Sequence, residues 1–203
     1  MKHFSLLRSF HVADLFTIAN GGCGVVAVFH AMRFVGTGDR RSLWLAAALI
    51  PLAIVFDVLD GRIARWRHKQ SSLGRELDSL ADLISFGVAP AVLAFAVGIR
   101  GAWDALVLVY FVSCGLSRLA RYNVTAAELA DASGKVRYFE GTPIPTTLVL
   151  VALLALLTWL DRIDQNLPFG VIRFLGGAFH PLVLLFVLSG TAMISKTLRV
   201  PKL

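Results

Sequence analysis

Along the chain, apolar stretches of roughly 20 residues alternate with short polar connections, the pattern of helices that cross a hydrocarbon core. Six spans are predicted, at 14–35, 42–64, 78–98, 103–122, 145–160 and 171–195. The fifth is short if it starts after Pro145 and the sixth is long, so both are expected to tilt or to run into an interface. Gly36 and Gly38, and later Pro168 and Gly170, mark turns between spans. The longest polar connection, 123–142, contains AAELADASGK, which predicts a short surface helix ended by Gly134. The pattern is that of one all-α integral membrane domain, 1–203, with no separate soluble module.

Composition agrees: 57% of the 203 residues are hydrophobic and only 16% charged, with a mean hydropathy of +0.72. A net charge of +7 would suit a nucleic-acid partner, yet the basic residues cluster between apolar runs and at the ends, which fits a membrane surface better. Six spans put both termini on one side. That side carries fourteen of the twenty Lys and Arg: Lys2 and Arg8, five between Arg62 and Arg75, four between Arg118 and Arg137, and three from Lys196 onward. The termini are therefore expected in the cytoplasm, across the inner membrane. Cys23 and Cys114 lie inside apolar stretches, and the five histidines show no paired spacing, so neither suggests a zinc site or a nucleophilic triad.

One stretch breaks the apolar rule. DVLDGRIARWRHKQSSLGRELDSLAD, from Asp57 to Asp82, sets four aspartates into the edges of two spans, where carboxylates are costly. On a helix, Asp57, Asp60, Gly61 and Ala64 share one face, with Arg65 at its margin, and Gly74, Asp78 and Asp82 follow one another at i, i+4 on the next. Two such stripes face to face make a four-carboxylate cage. Carboxylates that close must either hold protons or gather around a divalent cation, and oxygen-only ligands point to Mg or Mn. The small residues Gly61, Ala64 and Gly74 leave room for a phosphate ester beside the metal, with Arg65 placed to hold a phosphate oxygen.

The spacing Asp57-x2-Asp60-Gly61-x2-Ala64-Arg65-x8-Gly74-x3-Asp78-x3-Asp82 resembles the full signature of the CDP-alcohol phosphotransferases, membrane enzymes of phospholipid synthesis. The resemblance implies a six-transmembrane-helix bundle that transfers a substituted phosphate from a CDP-linked donor to an alcohol, with CMP leaving. It also implies Asp57, Asp60, Asp78 and Asp82 as ligands of two divalent ions, Mg2+ or Mn2+, and Asp82 as general base. Asp57, Asp60, Gly61, Ala64, Arg65, Gly74 and Asp78 match the positions that contact the CDP group. Homodimerisation is usual in the family.

For the acceptor, LISFGVAPA at 83–91, CGLSRLARYN at 114–123 and FEGTPIPT at 139–146 resemble the membrane phosphatidylserine synthases of bacteria and archaea. That likeness implies CDP-diacylglycerol as donor and L-serine as acceptor. Arg118 and Arg121 share a helix face and suit a carboxylate or a phosphate. Thr142 and Pro143, in a rigid non-helical approach to the fifth span, and Ser85, one turn past Asp82, complete the expected acceptor site. Glycerol 3-phosphate, inositol phosphate and choline are the rival acceptors. A cation transporter or channel would also gather carboxylates, but at mid-membrane, whereas Asp57 and Asp60 lie about seven and four residues from the end of their span.

Overall fold

The computed structural model describes residues 12–66, 72–125, 138–195 and 197–201. Among the described residues, four helical stretches are long and apolar enough to cross a membrane: α1 (Val12–Thr37), α2 (Arg40–Trp66), a composite third stretch, and α5 (Ala102–Thr125). The third runs as α3 (Ser72–Asp82), a π-helical segment (Leu83–Val88) and α4 (Ala89–Val97). Two shorter apolar helices follow, α6 (Leu148–Trp159) after a 3-10 turn at Ile144–Thr147, and α7 (Leu184–Ile194) after a 3-10 turn at Pro181–Val183. The surface helix expected around AAELADASGK falls on residues 126–137, outside the described residues.

The π-helical segment has a local cause. Pro90 has no N–H to offer the Phe86 carbonyl, and the Ala89 N–H bonds back to Ile84 O, five residues earlier. The wider turn begins directly after Asp82. In α2, Pro51 is accommodated without ending the helix.

α1 lies along α2 and also crosses α3, the π-helical segment and α4, while α5 packs against α7 and α6 against α2 and α4. With no hydrophobic drive between helices in lipid, close approach depends on small side chains. Ala27 and Ala31 of α1 and Ala46, Ala47 and Ala53 of α2 are accordingly buried. Ile144 fills the space beside Gly87 and Gly115, so the approach to α6 rests between the π-helical segment and α5.

The last predicted span, 171–195, starts differently from expectation. Its first part is an antiparallel hairpin, β2 (Ile172–Phe174) with β3 (Gly177–Phe179), and the helix begins only after Pro181. Leu175 and Gly176 at the turn take positive φ, and apolar, β-branched and aromatic neighbours suit strands as well as a span. Trp103 Nε1 donates to the Phe174 carbonyl and anchors the hairpin to α5. At the other end of the bundle, β1 (Tyr138–Glu140) pairs antiparallel with β4 (Arg199–Pro201).

Candidate active site

The end of α2 and the whole of α3 bring the aspartates together as the helical spacing requires. Oxygens of Asp57, Asp60 and Asp78 lie within 4.8 Å of one another. Asp82, the last residue of α3, stands outside that set of three but within the electrostatic reach of Asp57, Asp78 and Asp60. Among the described residues none of the four is ion-paired, and Asp78 Oδ1 is buried with no hydrogen-bond partner. Three convergent carboxylates, one with an unsatisfied oxygen and none paired with a base among the described residues, form a donor set that fits a hard divalent cation.

Gly61 looks onto open space: a Cβ there would meet nothing within 4 Å. This is the room that a bulky group beside the carboxylates requires. Gly74 is half-buried on α3. Ala64 and Arg65 continue α2, with side chains outside the described residues.

Two residues that sequence reasoning passed over complete the carboxylate surroundings, and both come from α1. Thr17 Oγ1 donates to Asp60 Oδ2 at 2.7 Å, and Asn20 Nδ2 donates to Asp82 Oδ1 at 3.0 Å. Thr17 and Asn20 are three residues apart, on the stripe that continues to Gly21 and Gly24 and faces α3 and the π-helical segment. The legible signal was two buried polar side chains beside small residues within an apolar span.

The expected acceptor residues fall at this same end of the bundle. Arg118 is buried, its Nε has no hydrogen-bond partner, and it feels the Asp82 charge. Arg121 Nη1 instead donates to Ile194 O at the end of α7. Gly141 and Thr142 dock on that last turn too: Thr142 N donates to Ala192 O, and a Cβ on Gly141 would sit 2.1 Å from Met193 O. Pro143 precedes the 3-10 turn, and Thr142 Oγ1 is buried without a partner. Ser85 is fully buried, and its Oγ donates to Asn20 O at 2.8 Å, which makes it a lock between α1 and the π-helical segment. Asn123 joins α5 to α3, donating to Ser79 Oγ and Glu76 Oε2.

In comparison with known proteins, residues 10–189 match the CDP-alcohol phosphatidyltransferase family. The chain is similar to a CDP-diacylglycerol–serine O-phosphatidyltransferase of Saccharomyces cerevisiae, 48% identical over 205 residues that cover 98% of this chain and 74% of the yeast protein. It is 36% identical to the Helicobacter pylori protein of the same name over 185 residues, 90% of this chain and 68% of the relative.

Proposed function

The chain belongs to the CDP-alcohol phosphatidyltransferase family, and from that premise we propose that it transfers the phosphatidyl group of CDP-diacylglycerol to L-serine, giving phosphatidylserine and CMP. The observation that carries this reading is the meeting of three carboxylates, Asp57, Asp60 and Asp78, with a fourth, Asp82, that lies in the field of the buried Arg118. The two relatives named for serine transfer support the choice of acceptor.

The serine oxygen bonds to the phosphorus that carries the diacylglycerol, the bond from that phosphorus to the CMP oxygen breaks, and the serine hydroxyl proton passes to Asp82. Asp57, Asp60 and Asp78 would hold Mg2+ or Mn2+, and a second ion would draw on Asp82; when bound, the metal neutralises the diphosphate charge and stabilises the departing CMP. Gly61, Ala64, Arg65 and Gly74 border the CDP group together with the carboxylates. Arg118 receives the serine carboxylate, a pairing that its fork of donors suits, while Arg121, Thr142 and Pro143 shape the wall of the acceptor site against α7. Ser85 contributes through its grip on Asn20.

The same proposal covers the setting. One domain, 1–203, spans the cytoplasmic (inner) membrane six times, α6 and α7 with their 3-10 turns forming the two short spans, and works as a homodimer. Both termini and the aspartates face the cytoplasm, as the fourteen-to-six distribution of Lys and Arg supports. Purified protein given CDP-diacylglycerol, Mn2+ or Mg2+ and each alcohol in turn tests the reaction. Phosphatidylserine is the expected product, and turnover with glycerol 3-phosphate but none with serine refutes the acceptor.

A further inference from the structure

We infer that α1 carries two positioning residues with separate duties, Thr17 for the metal-holding carboxylates and Asn20 for the base, and this inference rests on the serine-transfer reading above. The Thr17 hydroxyl has one proton and two acceptors in reach, Asp60 Oδ2 at 2.7 Å and Ala13 O at 3.3 Å. The shorter, charge-assisted contact takes the proton. Thr17 thereby fixes one oxygen of a carboxylate that belongs to the set of three.

Asn20 acts on the other part of the site. Asn20 presents Nδ2 to Asp82 Oδ1, and this leaves Asn20 Oδ1 buried without a hydrogen-bond partner. A residue kept only for packing would not strand a buried acceptor, and a leucine of similar volume would avoid the cost. Asn20 cannot swing aside either: it is 0% exposed, and Ser85 Oγ holds its backbone carbonyl. The amide therefore ties down Asp82 Oδ1 and leaves Oδ2 for the serine proton. Asp82 lies outside the set of three, so loss of this bond strikes the proton-accepting step and spares the first metal ion.

The test uses the full-length protein in detergent with Thr17→Val, Thr17→Ser, Asn20→Leu and Asn20→Asp. Binding of the first Mn2+ is followed by electron paramagnetic resonance without either substrate, and kcat and the serine KM are measured separately. T17V should weaken Mn2+ about 10-fold or more, and T17S, which keeps the hydroxyl, should restore it. N20L should leave the first Mn2+ within about twofold of wild type while kcat falls ~10–100-fold, and N20D, nearly the same size, should lose kcat as well. Equal loss of Mn2+ in N20L and T17V, full kcat in either Asn20 variant, or unchanged Mn2+ binding in T17V overturns the inference. Should N20L fail to fold, N20D decides the Asn20 arm on kcat. Failure of the serine reading itself is seen apart from these outcomes, as a wild-type protein that makes no phosphatidylserine yet binds Mn2+ with the same dependence on Thr17.

Discussion

Where α1 passes the π-helical segment, a Cβ added to Gly24 would stand 2.7 Å from Ser85 Oγ, 2.8 Å from its Cα and 2.9 Å from its N. The hydroxyl has little freedom to retreat, since it donates to Asn20 O, and the other two atoms are backbone. Ordinary contact begins near 3.4 Å, so Gly24→Ala must push the two helices apart by about 0.5 Å or distort one of them. Overpacking of this kind costs about 1–3 kcal/mol, or roughly 2–12 °C of melting temperature at this chain length. The displacement also acts on Asn20, one turn away, and stretches its 3.0 Å bond to Asp82. Gly22→Ala is the matched control, because a Cβ there meets nothing within 4 Å and the helix gains up to ~1 kcal/mol in propensity. Thermal unfolding in detergent together with the serine-transfer rate reads both effects. G24A is expected to melt lower and turn over more slowly, and G22A to melt no lower than wild type with an unchanged rate. Equal melting temperature and rate in the two variants would show that the close approach does not position the site.

Asp82→Asn should keep the fold and lower kcat by about 100-fold or more, measured as phosphatidylserine formed per minute, because it removes the group that takes the hydroxyl proton in the proposed reaction. EDTA should abolish turnover and either Mg2+ or Mn2+ restore it; activity that survives exhaustive chelation would refute a metal-holding role for Asp57, Asp60 and Asp78. Arg118→Ala should raise the serine KM about 10-fold or more, with Arg118→Lys intermediate and the CDP-diacylglycerol KM unchanged. At the far end of the bundle, Asp104 is fully buried and accepts from Gly101 N and His180 N while its Oδ2 meets His180 Nδ1. Asp104→Ala should cost about 1–3 kcal/mol for each donor it strands, whereas Arg40→Ala, which breaks the exposed pair with Asp161, should cost about 0–1 kcal/mol. Unfolding midpoints compare the two.

The four long helices and both aspartate stripes were legible because their signals are local. Apolar length marks α1, α2 and α5, and a spacing of three or four residues puts Asp57 with Asp60 and Asp78 with Asp82. Features that depend on another part of the chain were not. The hairpin at 172–179 has the hydropathy of a span, and only Gly176, Gly177 and Pro181 argue against a continuous helix there. The π-helical segment follows from Pro90, eight residues past Asp82, acting on its own helix. Ser85 reads as a pocket residue one turn past Asp82, yet its hydroxyl bonds to α1, a partner 65 positions earlier in the chain.

That last contact bears on how the site is held. Asp57 and Asp60 on α2 are separated in sequence from Asp78 and Asp82 on α3 by a basic connection. Their relative placement comes from α1, which packs on both. Thr17 reaches Asp60 on α2, Asn20 reaches Asp82 on α3, and Gly21 and Gly24 let the backbones close to that distance. Four carboxylates would spread apart if left to their own repulsion, and neutral donors on a third helix oppose this without adding a positive charge that would compete with the metal. In the proposed reaction the signature residues supply the chemistry, while a helix outside the signature holds two of their carboxylates through Thr17 and Asn20.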